Sequence, residues 1–163
     1  MPVGPRFLKA ISDIESSGGK NTDHSEMESG IHTGESAVGE FGLMPNTSDE
    51  MINRMELDGR SSPELSALKG LSGNELKQAY GSHPELYKQV VDKLVEHVSR
   101  DTNDPRVAAY RWNMGHNTPL KSITDKLLQS SPYVQKFQQI YSTKDEQPNP
   151  MPTLKTFLES LKR

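Results

Sequence analysis

The sequence predicts an all-α chain, with an α-dominated α+β arrangement as its variant. Three observations lead there. Apolar residues recur at three- and four-residue spacing, clearest in the row Leu86, Val90, Leu94 and Val98. Helix-opening signals are frequent, with Ser, Thr or Asp placed before Pro or three residues before Glu. Alternating strand patterns are almost missing.

Taken in order, Phe7, Leu8, Ile11 and Ile14 predict a first helix that the Ser-Ser-Gly-Gly run at 16–19 stops. Residues 18–46 are rich in Gly, Ser, Thr and Asn, and they predict a long functional loop or a small hairpin. Thr47 with Glu50, Ser72 with Glu75 and Ser82 with Glu85 each have capping-box spacing, and Pro63 sits in the first turn of a shorter helix. Asp104 caps, Pro105 opens and Gly115 closes the next helix. Pro119 and Pro132 start two more, built on Leu120, Ile123 and Leu127, and on Tyr133, Phe137, Ile140 and Tyr141. Residues 1–145 are read as one domain. A linker-like break and an amphipathic helix (Leu154, Phe157, Leu158, Leu161) are expected over 146–163, where the helix packs back or meets a partner.

Composition narrows the function. The 163 residues suit one domain, and 32% hydrophobic content predicts a modest core. A net charge of -3 offers no bulk case for nucleic acid or anionic membrane. The lack of cysteine excludes disulfides, zinc-thiolate sites and a cysteine nucleophile. His24, His32, His83, His97 and His116 show no metal-ligand spacing, so no cofactor is expected. Neither a secretory signal nor a membrane span is expected from the N-terminal stretch or any apolar run.

Glu15 stands out. Leu8, Ile11 and Glu15 share one helix face, which carries this carboxylate toward the core or a cleft edge. Desolvation and the carbonyls of the last turn both disfavour the ionised form, as a glycosidase acid requires. The competing reading has the helix ending a turn earlier, with Glu15 in solvent.

A resemblance favours the first reading. Glu15, Ser16 and Gly18; Gly42, Leu43 and Met44 running into Pro45 and Thr47; and Ala109 and Tyr110 followed by Asn113 and Gly115 resemble three ordered motifs. These are the motifs of the lytic transglycosylase family related to goose-type lysozyme, and they span roughly residues 7–117. Two departures stand out: Pro45 replaces the glutamine after Gly-Leu-Met, and Arg111 replaces the asparagine after Ala-Tyr.

The resemblance implies a lysozyme-like helical domain with a substrate cleft. Its substrate would be peptidoglycan glycan strands, cut at the MurNAc-GlcNAc β-1,4 bond to leave 1,6-anhydro-muramyl ends. Glu15 would be the single acid/base, with no second carboxylate and no metal. Tyr110 would position the acid or substrate, or else pack in the core. Ser16 would bond the acid or the acetamido group, or else end the helix. Gly42, Leu43 and Met44 would wall the cleft, Met44 having plain core as its rival role. Trp112 would stack on a sugar or be buried, and Asn113 belongs to the same motif.

Two alternatives accompany this expectation. A hydrolytic muramidase would use a second loop acid among Asp23, Glu26, Glu28, Glu35 and Glu40, with Glu35 the preferred candidate. A non-catalytic lysozyme-fold module would only bind glycan or build a virion or secretion structure, with a virion or secretion-apparatus partner met through the C-terminal helix. A bacteriophage origin is expected, with action on the cell wall in the periplasm and delivery by a virion or a separate export route.

Overall fold

The computed structural model describes residues 4–20, 23–26 and 36–146. Their regular structure is α-helical apart from one small ribbon and one 3₁₀ turn. The helices are α1 (Pro5–Ser16), α2 (Pro45–Leu57), α3 (Pro63–Ser66), α4 (Gly73–Ser82), α5 (Pro84–Val98), α6 (Pro105–Met114), α7 (Asp125–Ser130) and α8 (Pro132–Glu146). The anticipated hairpin takes the form of strands β1 (Asp23–Glu26) and β2 (Ser36–Val38), antiparallel, with Asp23 opposite Val38. The expected C-terminal linker and helix lie outside the described residues.

Helix starts follow local chemistry, with corrections. Ser72 accepts from the Glu75 amide while Glu75 bonds back to Ser72, so this capping box forms. Asp104 accepts from the Arg106 amide and Gly115 ends α6. The other two boxes do not form. α2 begins at Pro45 and α5 at Pro84, because proline at the first helical position presets φ and sacrifices an amide that has no partner there. The helix expected from Pro119 is divided into a 3₁₀ turn, Leu120–Ser122, and α7, which Thr124 caps by accepting from the Leu127 amide.

α1 extends to Ser16, and Ser17 takes the left-handed conformation (φ 53°) beyond it. Its buried side chains Phe7, Ala10 and Ile11 join Met51, Ile52, Leu76, Val90, Leu94 and Phe137 in the main core. Each large apolar side chain so buried contributes about 1.5–3 kcal/mol.

α8 packs antiparallel to α1. At one end Arg6 donates to the Tyr141 carbonyl (3.3 Å) and its guanidinium lies 3.8 Å from the Tyr141 ring centroid. Phe7 packs on Phe137, with ring centroids 5.5 Å apart. From Arg6 to Glu15 is about 13.5 Å of helix and from Tyr141 back to Tyr133 about 12 Å. The match in length delivers Tyr133 to Glu15.

Arg111, the departure after Ala-Tyr, is a core residue. It is fully buried, donates to the carbonyls of Val98 (2.9 Å) and Thr118 (2.9 Å), and forks onto Asp101 at 2.7 and 3.1 Å.

Candidate active site

The site is built where three segments meet. α1 supplies Glu15 near its C-terminal end. The turn Gly39–Gly42 supplies the opposing backbone, and α8 supplies an aromatic hydroxyl.

Val38 and Leu43 exchange backbone hydrogen bonds of 2.7 and 2.9 Å, which close the loop between them into a tight turn. The Tyr87 hydroxyl pins it, donating to the Val38 carbonyl (2.7 Å) and accepting from the Phe41 amide (3.0 Å). Burial pushes the Tyr87 phenol well above its usual range, so it stays a neutral donor. Gly39 (φ +77°) lies so close to Tyr87 that an added Cβ would fall 2.5 Å from the ring.

Gly42 has the same role toward the carboxylate. Its φ is +65°, and a Cβ there would sit 2.7 Å from Glu15 Oε2. The loop backbone therefore packs directly on the acid. Gly42→Ala is expected to cost about 1–2 kcal/mol from the left-handed backbone alone, and to displace Glu15. Thermal melting and a wall-lysis assay on the same preparation check both effects.

The other oxygen of Glu15 is held by Tyr133, whose hydroxyl donates to Oε1 at 2.8 Å. Burial first, and then the adjoining carboxylate, drive the Tyr133 phenol far above its ordinary range. It remains protonated and donates. Glu15 is half-buried, against the alternative that it is solvated.

The remaining expected site residues divide. Tyr110 packs with Val107, Ile123, Leu128 and Val134 in a second apolar cluster, and the hydroxyl on Glu15 is that of Tyr133. Ser16 is buried and occupied in ending the helix, donating to the Ser12 carbonyl (3.1 Å) and accepting from the Gly19 amide (2.9 Å). Leu43 is core rather than cleft wall, at 2% exposure, because its side chain turns inward from the Val38 bridge. Met44 precedes α2 and is half-buried. Trp112 packs edge-on against Phe7 (5.9 Å) and donates to the Phe41 carbonyl (3.3 Å), so it props the turn from behind. Asn113 is exposed. Glu35 and Glu28 lie outside the described residues.

A different loop acid reaches α1. Glu40 accepts from Ser12 Oγ at 2.6 Å. Ser12 precedes Glu15 by three residues, so Glu40 is brought to the same helix face. Glu40 and Gly19 are also close, a Cβ on Gly19 falling 3.4 Å from the carboxyl carbon. A cavity of about 300 Å³ opens beside Glu40, bounded by Val38, Lys77, Tyr80 and Tyr87. Neither Tyr133 nor Glu40 was singled out by sequence pattern. Tyr133 registers only as a member of the α8 apolar row, and Glu40 as one of five loop acids.

Fold and site together define an α-helical domain with a carboxylate wedged between a glycine turn and a half-buried tyrosine. Comparison with protein-family models, with curated proteins and with solved structures found no match. Among the described residues no group of three His, Asp or Glu is arranged to hold a metal ion, and no helix is long and apolar enough to cross a membrane.

Proposed function

We propose that this chain is a lytic transglycosylase of peptidoglycan, with Glu15 as the one acid/base. The observation that carries the reading is the meeting of Glu15 with Gly42 and with the Tyr133 hydroxyl. An acid set at a helix end, hydrogen-bonded at one oxygen and packed against the glycine turn at the other, is preorganised for proton transfer at a fixed point. Glu15 first gives its proton to the glycosidic oxygen as the C1–O bond breaks. The resulting carboxylate then takes the proton of the muramic C6 hydroxyl, whose oxygen closes on C1. No water enters, and the product ends in a 1,6-anhydro ring. Tyr133 steadies the carboxylate through the ionised half of this cycle, because its hydroxyl stays protonated and donates to Oε1.

The position of Glu40 supports a second reading, a hydrolase in which that carboxylate orients water on the opposite face. The products differ by one water, so mass spectrometry of digested sacculi decides: anhydro ends support the transglycosylase, reducing ends the hydrolase. If neither fragment appears and Glu15→Gln changes no phenotype, the chain is a binding or structural module.

Tyr133→Phe is expected to lower the rate roughly 10- to 100-fold while the melting temperature moves by a few degrees at most, since the ring is kept and one donor is lost. Steady-state turnover on purified sacculi and a thermal melt measure the two.

A further inference from the structure

A second charged site lies along α2, three turns beyond Pro45. A cavity of about 320 Å³ opens between the C-terminal halves of α2 and α5, with Arg54, His97 and Arg100 on one side and Asp58, Lys93 and Glu96 on the other. The second side is electrically closed. Lys93 Nζ bonds Asp58 at 2.6 Å and Glu96 at 3.1 Å, and Arg60 bonds the same two carboxylates at 3.2 Å. Two cations and two anions cancel there.

The first side is not closed. Arg100 gives its guanidinium to the neutral carbonyls of His97 (2.6 Å) and His116 (3.1 Å), and the carboxylate that attracts it, Asp101, is already forked by Arg111. Arg54 Nε is buried without a hydrogen-bond partner among the described residues, and its ion pair with Glu50 is long, at 4.0 Å. Glu50 is itself occupied, bonded by His116 and by the Asn117 amide (3.0 Å). The Asn117 oxygen accepts from both Arg54 (3.4 Å) and His97 (2.7 Å), which links the two side chains along one wall. Burial, then Arg111, lower Arg100 against the attraction of Asp101, with Arg54 adding to the lowering; burial lowers His97 against its Asn117 hydrogen bond, with Arg54 and Arg100 adding to it. Of the cavity's own cations, Arg54 and Arg100 repel each other.

We infer that this cavity binds a small oxyanion, a phosphate ester or a carboxylate, held between Arg54 and Arg100. Guanidinium forks match both groups through paired, charge-assisted hydrogen bonds. Leu57, 87% exposed at the rim, offers apolar contact to whatever carries the anion. The site does not depend on the glycan-cleaving reading and uses none of its residues.

The test titrates the full chain with inorganic phosphate and, separately, with succinate, each against sodium chloride at matched ionic strength. Saturable rises in melting temperature are expected, with shifts of the Arg54 and Arg100 Nε–H resonances. A larger response to phosphate points to a phosphate ester as the natural source, and a larger response to succinate to a carboxylate. Arg54→Gln and Arg100→Gln should each weaken the response at least about tenfold. Arg54→Lys and Arg100→Lys keep the charge and lose the fork, so they should weaken it partly. The inference is overturned if neither anion exceeds chloride, if the arginine resonances stay still, or if both glutamine variants respond like the parent.

Discussion

Glu15→Gln is expected to reduce wall clearing by at least about 1,000-fold, the scale of removing a general acid that also serves as the base. Glutamine keeps the shape of the side chain and an oxygen that still accepts from Tyr133, so the site geometry should persist. The variant has no proton to give and no carboxylate to take one. A zymogram for activity, with a melt of the same sample, separates chemistry from folding. A variant that melts like the parent and still clears sacculi would end the proposal that Glu15 carries the reaction. A variant that no longer binds glycan would point instead to a role for Glu15 in holding substrate.

Arg111→Met is expected to destabilise the fold by about 2–4 kcal/mol. The methionine fills part of the space, but the carbonyls of Val98 and Thr118 lose their donor inside the protein, and each such orphan costs about 1–3 kcal/mol. For a chain of this size that is roughly a 5–15 °C fall in melting temperature. The pH dependence gives an independent check. The Arg111 hydrogen bond holds the Asp101 carboxyl below its ordinary range. A carboxylate depressed in the folded state adds stability above its unfolded pKa, about 3.9, and loses it as pH falls through the folded value. The gap in melting temperature between parent and variant should therefore narrow as the pH is lowered below about 4. A constant gap down to pH 2 would show that Asp101 adds nothing through this pair.

The Arg111 arrangement shows why residue type alone misleads here. Arg111 departs from the asparagine of the motif it resembles. It is fully buried and ties α6 to the end of α5 and the segment after Gly115. Its periodicity is that of a core position. Nothing in a single sequence says that Asp101, ten residues upstream, will meet it.

Some of the molecule was legible from the chain itself, because the forces involved are local. The α1 stripe and its Ser-Gly stop, the Ser72–Glu75 box, the Asp104 cap and the long row of α5 rest on contacts within a few residues of one another, so composition and spacing reveal them. The candidacy of Glu15 rested on that same helical repeat, and the closeness of Gly42 on the resemblance. Proline overrode two expected capping boxes for an equally local reason, its preset φ.

Only tertiary packing decided which groups face Glu15. Tyr133 is 118 residues away along the chain and Glu40 reaches Ser12 from 28. Tyr110, nearer in motif, went to a different cluster because the turn of α6 that carries it packs on Ile123, Leu128 and Val134. Which tyrosine meets the acid is set by the antiparallel run of α8 against α1, a match of two helix lengths that no local pattern records.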